Sequence, residues 1–362
     1  ELALFTDALE RFCDAEIEPH YRAWEKAGIV PRELFLKMGD NGYLCADVPE
    51  QYGGSGASVH FSFAVIEVLA RRGYGGLVGG LEVHSDIIPP YLLHCGTEAQ
   101  RQHWLPRLVS GEAIAAIGMT EPGAGSDLKA IRTTARKEGD GYVINGSKIF
   151  ISNGQHCDLI VLAAKTDPAG GAKGVSLFLV DTQTPGFSRG QNLEKIGQHA
   201  GDTSELFFND MRVPADALLG GVEGQGFVQM MRELPRERLI IGVQAVHGAK
   251  GALDATLKYV QERQAFGQNL AQFQNTRFTL AQCATDIAAA EAFLNACVHA
   301  YQRGELTPEA ASALKLHTSE LMGRVADQCL QLFGGYGYMA EYPVSRFWTD
   351  ARVLRIYGGT SE

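Results

Sequence analysis

The chain has 362 residues, of which 45% are hydrophobic and 20% are charged, an ordinary composition for a globular protein of two or three domains. Its formal net charge is −10 and no basic stripe runs along it, so the sequence argues against a nucleic-acid-binding protein. No apolar run reaches the ~18 residues that a membrane-spanning helix needs, so we expect no transmembrane segment.

The first 112 residues have the spacing of helices. Apolar residues recur three and four positions apart, and Pro31 stands where a proline can begin a helix. Composition predicts a loop at 49–56 and a glycine-rich break at 73–80. The predicted helices lie near 2–12, 32–39, 59–72, 82–95 and 98–110.

The pattern changes between residues 113 and 222, where short β-branched or aromatic segments alternate with turns. Asn145-Gly146 lies between two such segments and predicts a tight hairpin turn. No long helix interrupts the series, so we expect a separate antiparallel β domain rather than a βαβ sheet. The predicted strands lie near 114–119, 142–144, 148–151, 159–164, 175–180 and 205–208.

Helical spacing returns in the last part of the chain, and the order of helices, strands and helices predicts an α+β fold. The predicted domains are 1–112, 113–222 and 223–362. The predicted C-terminal helices are 227–261, 271–303, 308–333 and 342–356.

The first of these C-terminal helices carries a candidate base. Pro235 fits the first turn of a helix, where its missing N–H has no partner to lose, so we expect Glu237 in the first turns beside Leu234 and Ile240. A carboxylate among apolar residues can be desolvated, which raises its pKa and makes it a usable general base. The alternative is an acid that is favoured by the helix dipole and has no catalytic role.

Three further stretches combine glycine or arginine with features of a binding site. Thr120–Asp127 follows a predicted strand, and its glycines around Ala124 permit positive φ, which could aim backbone N–H groups at an anion or a flavin edge; a plain turn explains it equally well. Arg263 could cap the long helix or reach a phosphate. Gln331–Gly337 could be a glycine cap or a close approach to a cofactor.

Neither a catalytic triad nor a metal site is indicated. The histidines lie at unrelated spacings, and no serine, histidine and aspartate order stands out. The seven cysteines are scattered without Cys-x-x-Cys spacing, which predicts free thiols in a reducing compartment.

Together and in this order, these stretches resemble the acyl-CoA dehydrogenase family over essentially the whole chain. The resemblance implies a helical N-terminal domain, a middle β domain and a C-terminal four-helix bundle. It also implies bound FAD, assembly as a homotetramer (a dimer of dimers) or a homodimer, oxidation of acyl-CoA to trans-2-enoyl-CoA, and an electron-transferring flavoprotein as electron acceptor. The markers are Met119–Asp127, Phe150–Gly154, Glu262–Gly267, Phe273-Gln274, Gln331–Gly337, Glu341–Pro343 and Tyr357–Thr360.

The resemblance implies FAD contacts from four parts of the chain. Around the flavin they are Ile117, Met119, Thr120, Gly125, Ser126, Phe150, Ile151 and Ser152. Near the pyrophosphate, across a subunit interface, they are Arg263, Ala265, Phe266, Phe273 and Gln274. At the adenosine half they are Gln331, Leu332, Gly334 and Gly335. The last two are Thr360 and Glu362, although Glu362 stands where the family commonly has glutamine.

The informative departure from the family is Gly358, because most members carry the catalytic glutamate at this position, between Tyr357 and Gly359. A smaller group, the long-chain and isovaleryl-CoA dehydrogenases, carries it in a Glu-Arg pair on the long helix, and Glu237-Arg238 matches that pair. The resemblance therefore implies Glu237 as the base. The missing side chain at Gly358 would leave room for that carboxylate, and its N–H would bond the thioester oxygen.

The flanking residues are most similar to the long-chain type, so we expect a medium or long straight-chain substrate. Branched groups of the isovaleryl or citronellyl kind are the alternative. A flavin oxidase or monooxygenase on the same fold and a non-catalytic CoA-binding protein are the competing classes. The expected location is the cytoplasm for a bacterial protein and the mitochondrial matrix for a eukaryotic one. The residues expected at the substrate are Ser126, Arg238, Tyr357 and Gly359.

Overall fold

The computed structural model describes residues 1–362 and has helices at both ends of the chain with a β-sheet region between them, which confirms the predicted fold class. No helix is both long enough and apolar enough to span a membrane. The N-terminal helices are α1 (Leu2–Phe12), α2 (Tyr21–Ala27), α3 (Arg32–Asp40), α4 (Val59–Arg71), α5 (Gly75–Leu81), α6 (Ile88–Cys95) and α7 (Glu98–Val109).

The glycine-rich break predicted at 73–80 is wrong, because most of that segment is α5. A π-helical turn, Glu82–Ile87, joins α5 to α6. Two glycines of α5 lie where a side chain would collide with neighbouring segments. A Cβ at Gly75 would lie 2.6 Å from Oδ2 of Asp350, and one at Gly76 would lie 2.8 Å from the nitrogen of Gly201. These glycines therefore serve close packing rather than a turn.

The middle region is a sheet with the strand order β1-β4-β2-β3-β7-β6. Strands β1 and β2 pair with different parts of one side of β4, and β5 pairs along its other side. The sheet is mixed rather than wholly antiparallel, because β4 runs parallel to β1 and β2. The strands are β1 (Ala115–Gly118), β2 (Thr134–Glu138), β3 (Gly141–Ser152), β4 (Leu159–Lys165), β5 (Val175–Asp181), β6 (Phe187–Asn192) and β7 (Thr203–Pro214).

The hairpin predicted at Asn145-Gly146 is also wrong, since both residues lie inside the continuous strand β3. The pairing of β3 with β7 shifts register between Ile144 and Gly146, so the dipeptide forms a bulge. A Cβ at Gly146 would lie 2.4 Å from Oγ1 of Thr133, and glycine is therefore needed for the close approach. The turn before β3 falls instead at Gly139-Asp140.

The C-terminal helices surround α8, which packs against α9, α10 and α11 and also against α4 of the N-terminal part. One core of 72 buried residues extends from these helices to one face of the sheet, and a second core of 17 lies within the sheet region. The elements are α8 (Gly226–Glu262), β8 (Gln264–Ala265), β9 (Gln268–Asn269), α9 (Gln274–Gln302), α10 (Pro308–Phe333) and α11 (Pro343–Ala351).

The prediction that Pro235 begins the long helix is wrong. Helix α8 begins at Gly226, nine residues earlier, and runs through the proline. The missing N–H frees the carbonyl of Met231, whose side chain is exposed, so solvent can reach this turn. Glu237 is therefore well inside α8. The helix dipole acts within the first turn, so it does not explain an acid at this position.

Candidate active site

Glu237 is a buried carboxylate held by a hydrogen bond from the N-terminal helices. Its side chain lies on α8, and the hydroxyl of Tyr91 on α6 donates to its Oε1 at 2.9 Å. Burial, with a smaller contribution from the charge of Glu233, raises the pKa of Glu237 to about 7, and the Tyr91 hydroxyl and Arg238 oppose the shift. A carboxylate with this pKa can exchange a proton near neutral pH.

The glycine turn at Gly358-Gly359 is fixed by cations from two helices. Arg238 Nε donates to the carbonyl oxygen of Gly358 at 3.1 Å, and Lys315 Nζ donates to that of Gly359 at 2.5 Å. Both glycines have positive φ, +64° and +96°. Burial and the charge of Arg238 lower the pKa of Lys315 to about 8. The hydroxyl of Tyr357 donates to Oε1 of Gln244 at 2.7 Å.

The N–H groups of Gly358 and Gly359 have no hydrogen-bond partner within the chain. Their carbonyls are occupied, so the turn is held in one orientation with two backbone donors available. Paired donors of this kind can stabilise an oxyanion that develops on a bound thioester.

The space beside Gly358 is occupied by Ile241 and not, as expected, by the carboxylate of Glu237. A Cβ at this position would lie 2.5 Å from Cδ1 of Ile241, which follows Glu237 by one turn of α8. The missing side chain therefore leaves room for Ile241 rather than for the Glu237 carboxylate itself. Both residues come from the same face of the helix, four positions apart.

The residues predicted around the flavin ring come from two segments that the structure brings together. Ile117, Met119 and Thr120 lie on and after β1, and Phe150 and Ser152 lie at the end of β3. The backbone N–H of Ile149 donates to the carbonyl of Thr120 at 3.0 Å.

A buried ion pair also ties these segments. Nζ of Lys148 lies 2.8 Å from Oε1 of Glu121 and donates to the carbonyl of Met119 at 2.9 Å. Lys148 is only 1% exposed, and burial lowers its pKa to about 8 while Glu121 opposes the shift. The pair therefore fixes the loop after β1 against β3.

The two neighbours at the end of β3 point in opposite directions. The pairing with β7 shifts between Lys148 and Ile151, and Phe150 within that shift has φ +62° and is 63% exposed. An exposed aromatic ring in a strained conformation indicates a functional surface. Ile151 instead lies in the core of the sheet region, so its side chain is not available for contact with a flavin.

The loop Thr120–Asp127 is closed by paired hydrogen bonds between Glu121 and Ala124. The expected positive φ at its glycines is wrong, because neither Gly123 nor Gly125 adopts it. A Cβ on either glycine would meet no atom within 4 Å. Here glycine leaves open space in front of the loop, and Ser126 beside it is exposed.

A second group of predicted residues lines a surface groove at the end of α8 and α10. The groove encloses about 620 Å³, and the Arg263 guanidinium lies 5.3 Å from the ring centre of Tyr336 across it. Phe266 is 97% exposed and packs edge-on against Phe273. Gln274 opens α9, where backbone N–H groups favour an anion. The predicted residues within the groove are Arg263, Gln331, Leu332, Gly334 and Gly335.

The structure does not bring every predicted residue to one place within the chain. No hydrogen bond joins the groove to the segments around Phe150, and β3 does not pack against α9 or α10. Thr360 and Glu362 are exposed at the end of the chain and likewise make no hydrogen bond to either group, nor does Ala265 on the short strand β8.

An extended dinucleotide fits this separation, since it needs an aromatic surface for its ring system and a cationic groove for its phosphates. Phe150 beside the open loop offers the first, and Arg263 in the groove offers the second. The residues present therefore fit FAD.

Sequence reasoning missed four residues of the candidate site. Tyr91, Ile241, Gln244 and Lys315 lie in helical stretches where periodicity indicates packing and nothing more. Only Tyr91 could have been noticed from the sequence, because a tyrosine that is buried in a helix needs a hydrogen-bond partner for its hydroxyl. That signal does not identify the partner.

Comparison with known proteins gives matches over the full length of the chain. The family models for the N-terminal, middle and C-terminal domains of acyl-CoA dehydrogenase match residues 1–112, 116–211 and 224–362. The mitochondrial long-chain specific acyl-CoA dehydrogenase of Sus scrofa is 44% identical, with 99% of this chain and 83% of that protein covered.

Solved structures match equally well. The acyl-CoA dehydrogenase of Geobacillus kaustophilus has a TM-score of 0.97 and 46% identity, covering 100% of this chain and 95% of that one. A glutaryl-CoA dehydrogenase from Mycobacterium smegmatis, solved in complex with FADH2, has a TM-score of 0.93 and 29% identity, covering 99% and 91%.

These matches define the protein as an oxidoreductase that acts on acyl-CoA. The chain belongs to the acyl-CoA dehydrogenase family, whose members are flavoproteins of fatty acid oxidation.

Proposed function

We propose that the protein oxidises a fatty acyl-CoA to the trans-2-enoyl-CoA, with Glu237 as the base that removes the α-proton. The observation that carries this proposal is the buried Glu237 carboxylate, whose pKa is raised to about 7, on a chain with glycine at 358. An α-proton of a thioester is weakly acidic, so its removal needs a positioned base of this kind.

The glycine turn supports the second requirement, stabilisation of the developing enolate oxygen. The unpaired N–H of Gly358 is a donor for that oxygen. Arg238 and Lys315 hold the turn through its carbonyls, so the donor is oriented before substrate arrives.

FAD fits as the cofactor, and when bound it supplies the acceptor for the β-hydride. The Phe150 ring and the open loop at Gly125 and Ser126 would flank its ring system. The groove with Arg263 would take the pyrophosphate and the adenosine half of FAD from a neighbouring subunit.

We expect assembly as a homotetramer or homodimer, because the groove and the flavin-facing segments are separate within one chain. Large apolar side chains exposed on the C-terminal helices, such as Phe278 and Trp348, support such an assembly. Light scattering measures the number of subunits in the assembly. The variant Arg263→Ala should lose bound FAD and keep its fold.

The substrate we favour is a medium or long straight-chain acyl-CoA, and branched acyl groups are the alternative. The pig relative is named for long-chain substrates. Along the helix that leads from Tyr91, Ile87, Val83 and Gly80 are only partly buried and spaced four and three apart, which indicates an open apolar face. Following flavin bleaching across straight and branched acyl-CoAs of increasing length tests this choice.

The deciding experiment is Glu237→Gln. The variant should retain FAD, because glutamine keeps the size of the side chain and the one hydrogen-bond partner of Glu237 is Tyr91, and its flavin should be reduced by acyl-CoA roughly 10²- to 10⁴-fold more slowly. Asp254→Asn is the control, since Asp254 is an acid of the same helix that pairs with the exposed Arg71 and does not act on Glu237. Reduction of Glu237→Gln at the wild-type rate would overturn the assignment.

Two observations on the purified protein separate the competing classes. Slow reoxidation of the reduced flavin by O₂ and fast reoxidation by an electron-transferring flavoprotein support a dehydrogenase. Fast reoxidation by O₂ indicates an oxidase or monooxygenase. Protein that stays colourless after FAD is added indicates a non-catalytic CoA-binding protein.

A further inference from the structure

Two acids on one face of α8 meet two polar side chains of α6. Glu237 Oε1 accepts from the hydroxyl of Tyr91 at 2.9 Å, and the two oxygens of Glu233 lie 3.0 and 3.1 Å from Nδ1 of His94. The acids are four residues apart and their partners three, so both pairs lie on facing sides of the two helices.

The two pairs differ in solvent access. Tyr91 is fully buried, whereas the His94 side chain is 42% exposed. Only one of the two Glu237 oxygens is hydrogen-bonded within the protein. The Tyr91 ring is fixed by burial, so its hydroxyl determines which carboxylate oxygen is held and which is available.

We propose that Tyr91 is a positioning residue for the base: its hydroxyl holds Oε1 of Glu237, so that Oε2 is the oxygen presented to the α-proton of the substrate. This inference rests on the proposed function. Tyr91 keeps its own proton throughout, and the proton taken from the substrate is bound by Glu237. The hydroxyl stabilises the ionised carboxylate and restricts its rotation.

The charged groups that face Glu237 set its titration. On α8 they are Glu233, one turn before it, and Arg238, next to it. On α6 the facing group is Tyr91, while His94 and the exposed Arg232 act on Glu233 rather than on Glu237 directly. Loss of the Tyr91 hydroxyl removes a donor to the ionised form, so the base must titrate at higher pH.

The test is Tyr91→Phe, which keeps the ring and its packing. We expect flavin reduction to be slower by roughly 10- to 100-fold at neutral pH, and the midpoint of its pH profile to rise by about one pH unit. Tyr52→Phe is the matched control, because the Tyr52 hydroxyl donates to a carboxylate, Glu98, at 2.8 Å in the same part of the chain.

A second measurement isolates proton removal from hydride transfer. A 3-oxoacyl-CoA has an α-proton between two carbonyl groups, and its enolate gives a charge-transfer band with oxidised flavin. In Tyr91→Phe this band should form at higher pH than in the wild type. The FAD content and the melting temperature of the variant should stay close to those of the wild type.

The outcomes separate this inference from the function on which it rests. If acyl-CoA does not reduce the wild-type flavin, the proposed function fails. If the wild type is reduced and Tyr91→Phe has the same rate and the same pH profile, the positioning role is overturned. A lower rate with an unchanged pH profile and an unchanged band would mean that the Tyr91 hydroxyl does not stabilise the ionised Glu237 carboxylate, and would also overturn it.

Discussion

Arg238 and Gly358 are joined by a hydrogen bond from Nε of the guanidinium to the carbonyl oxygen, 3.1 Å long. The same guanidinium donates through Nη1 to the hydroxyl of Ser312 on α10 at 2.6 Å. Arg238 also follows Glu237 directly, so one turn of α8 holds the candidate base and fixes the candidate oxyanion donor. The candidate base and the residue that anchors the candidate donor are therefore carried by the same helix.

Replacing Arg238 should loosen the glycine turn. In Arg238→Gln we expect flavin reduction to be slower by about tenfold, because a hydrogen bond from a charged donor contributes roughly 1.5–3 kcal/mol and Lys315 still holds Gly359. Stopped-flow absorbance measures the rate. Arg303→Gln, at an exposed arginine after α9, is the control and should leave the rate unchanged. An unchanged rate of flavin reduction in Arg238→Gln would show that the glycine turn does not depend on the hydrogen bond from Arg238.

Glu237 should make folding less favourable at alkaline pH. Its pKa is raised from 4.5 to about 7 in the folded protein, so the native state binds a proton that the unfolded state releases, and stability falls as pH rises through 7. Glu237→Gln should then be more stable than the wild type at pH 8, by about 3 kcal/mol at most, and should match it near pH 4. Chemical denaturation at both values measures the difference. Equal stability at pH 8 would contradict the raised pKa.

The ion pair of Lys148 and Glu121 should control flavin retention. Lys148→Met leaves the Glu121 carboxylate buried without its cation, which costs about 3–5 kcal/mol. We expect a lower melting temperature and loss of FAD, read from the ratio of visible to ultraviolet absorbance. Glu121→Gln with Lys148→Met removes the unpaired charge and should restore part of the melting temperature. Full retention of FAD in Lys148→Met would show that the pair does not shape the flavin surface.

Moving the base to position 358 should require a third change. Glu237→Gly with Gly358→Glu should remain almost inactive, because a Cβ at 358 lies 2.5 Å from Ile241. Adding Ile241→Ala should restore part of the rate of flavin reduction, although positive φ at a non-glycine residue costs about 1–2 kcal/mol. Glu237→Gly with Ile241→Ala and glycine kept at 358 is the control and should stay inactive. Activity in Glu237→Gly with Gly358→Glu, without the third change, would mean that the Ile241 side chain can move out of the way.

The sequence predicts the large elements well, because periodicity reports which face of a helix or strand is buried. Helices such as α7 and α10 fall within a residue or two of their predicted ends. The failures at Pro235 and Gly146 have a common cause. Each residue has a strong local preference for a helix start or a turn, and tertiary packing overrides it. The partners of the site, such as Tyr91 for Glu237, depend on contacts between distant helices, which spacing along the chain does not encode.

The register shift near the end of β3 has a consequence for how this surface can vary among related chains. Phe150 is exposed because the pairing of β3 with β7 is interrupted there. The ring is therefore positioned by an irregularity in a strand rather than by a flexible loop. Deleting a single residue between Lys148 and Ile151 would restore regular alternation and change the side of the sheet that Phe150 faces. A gap of one position at this point in an alignment would therefore mark chains that have lost the aromatic platform, even where every neighbouring residue is identical.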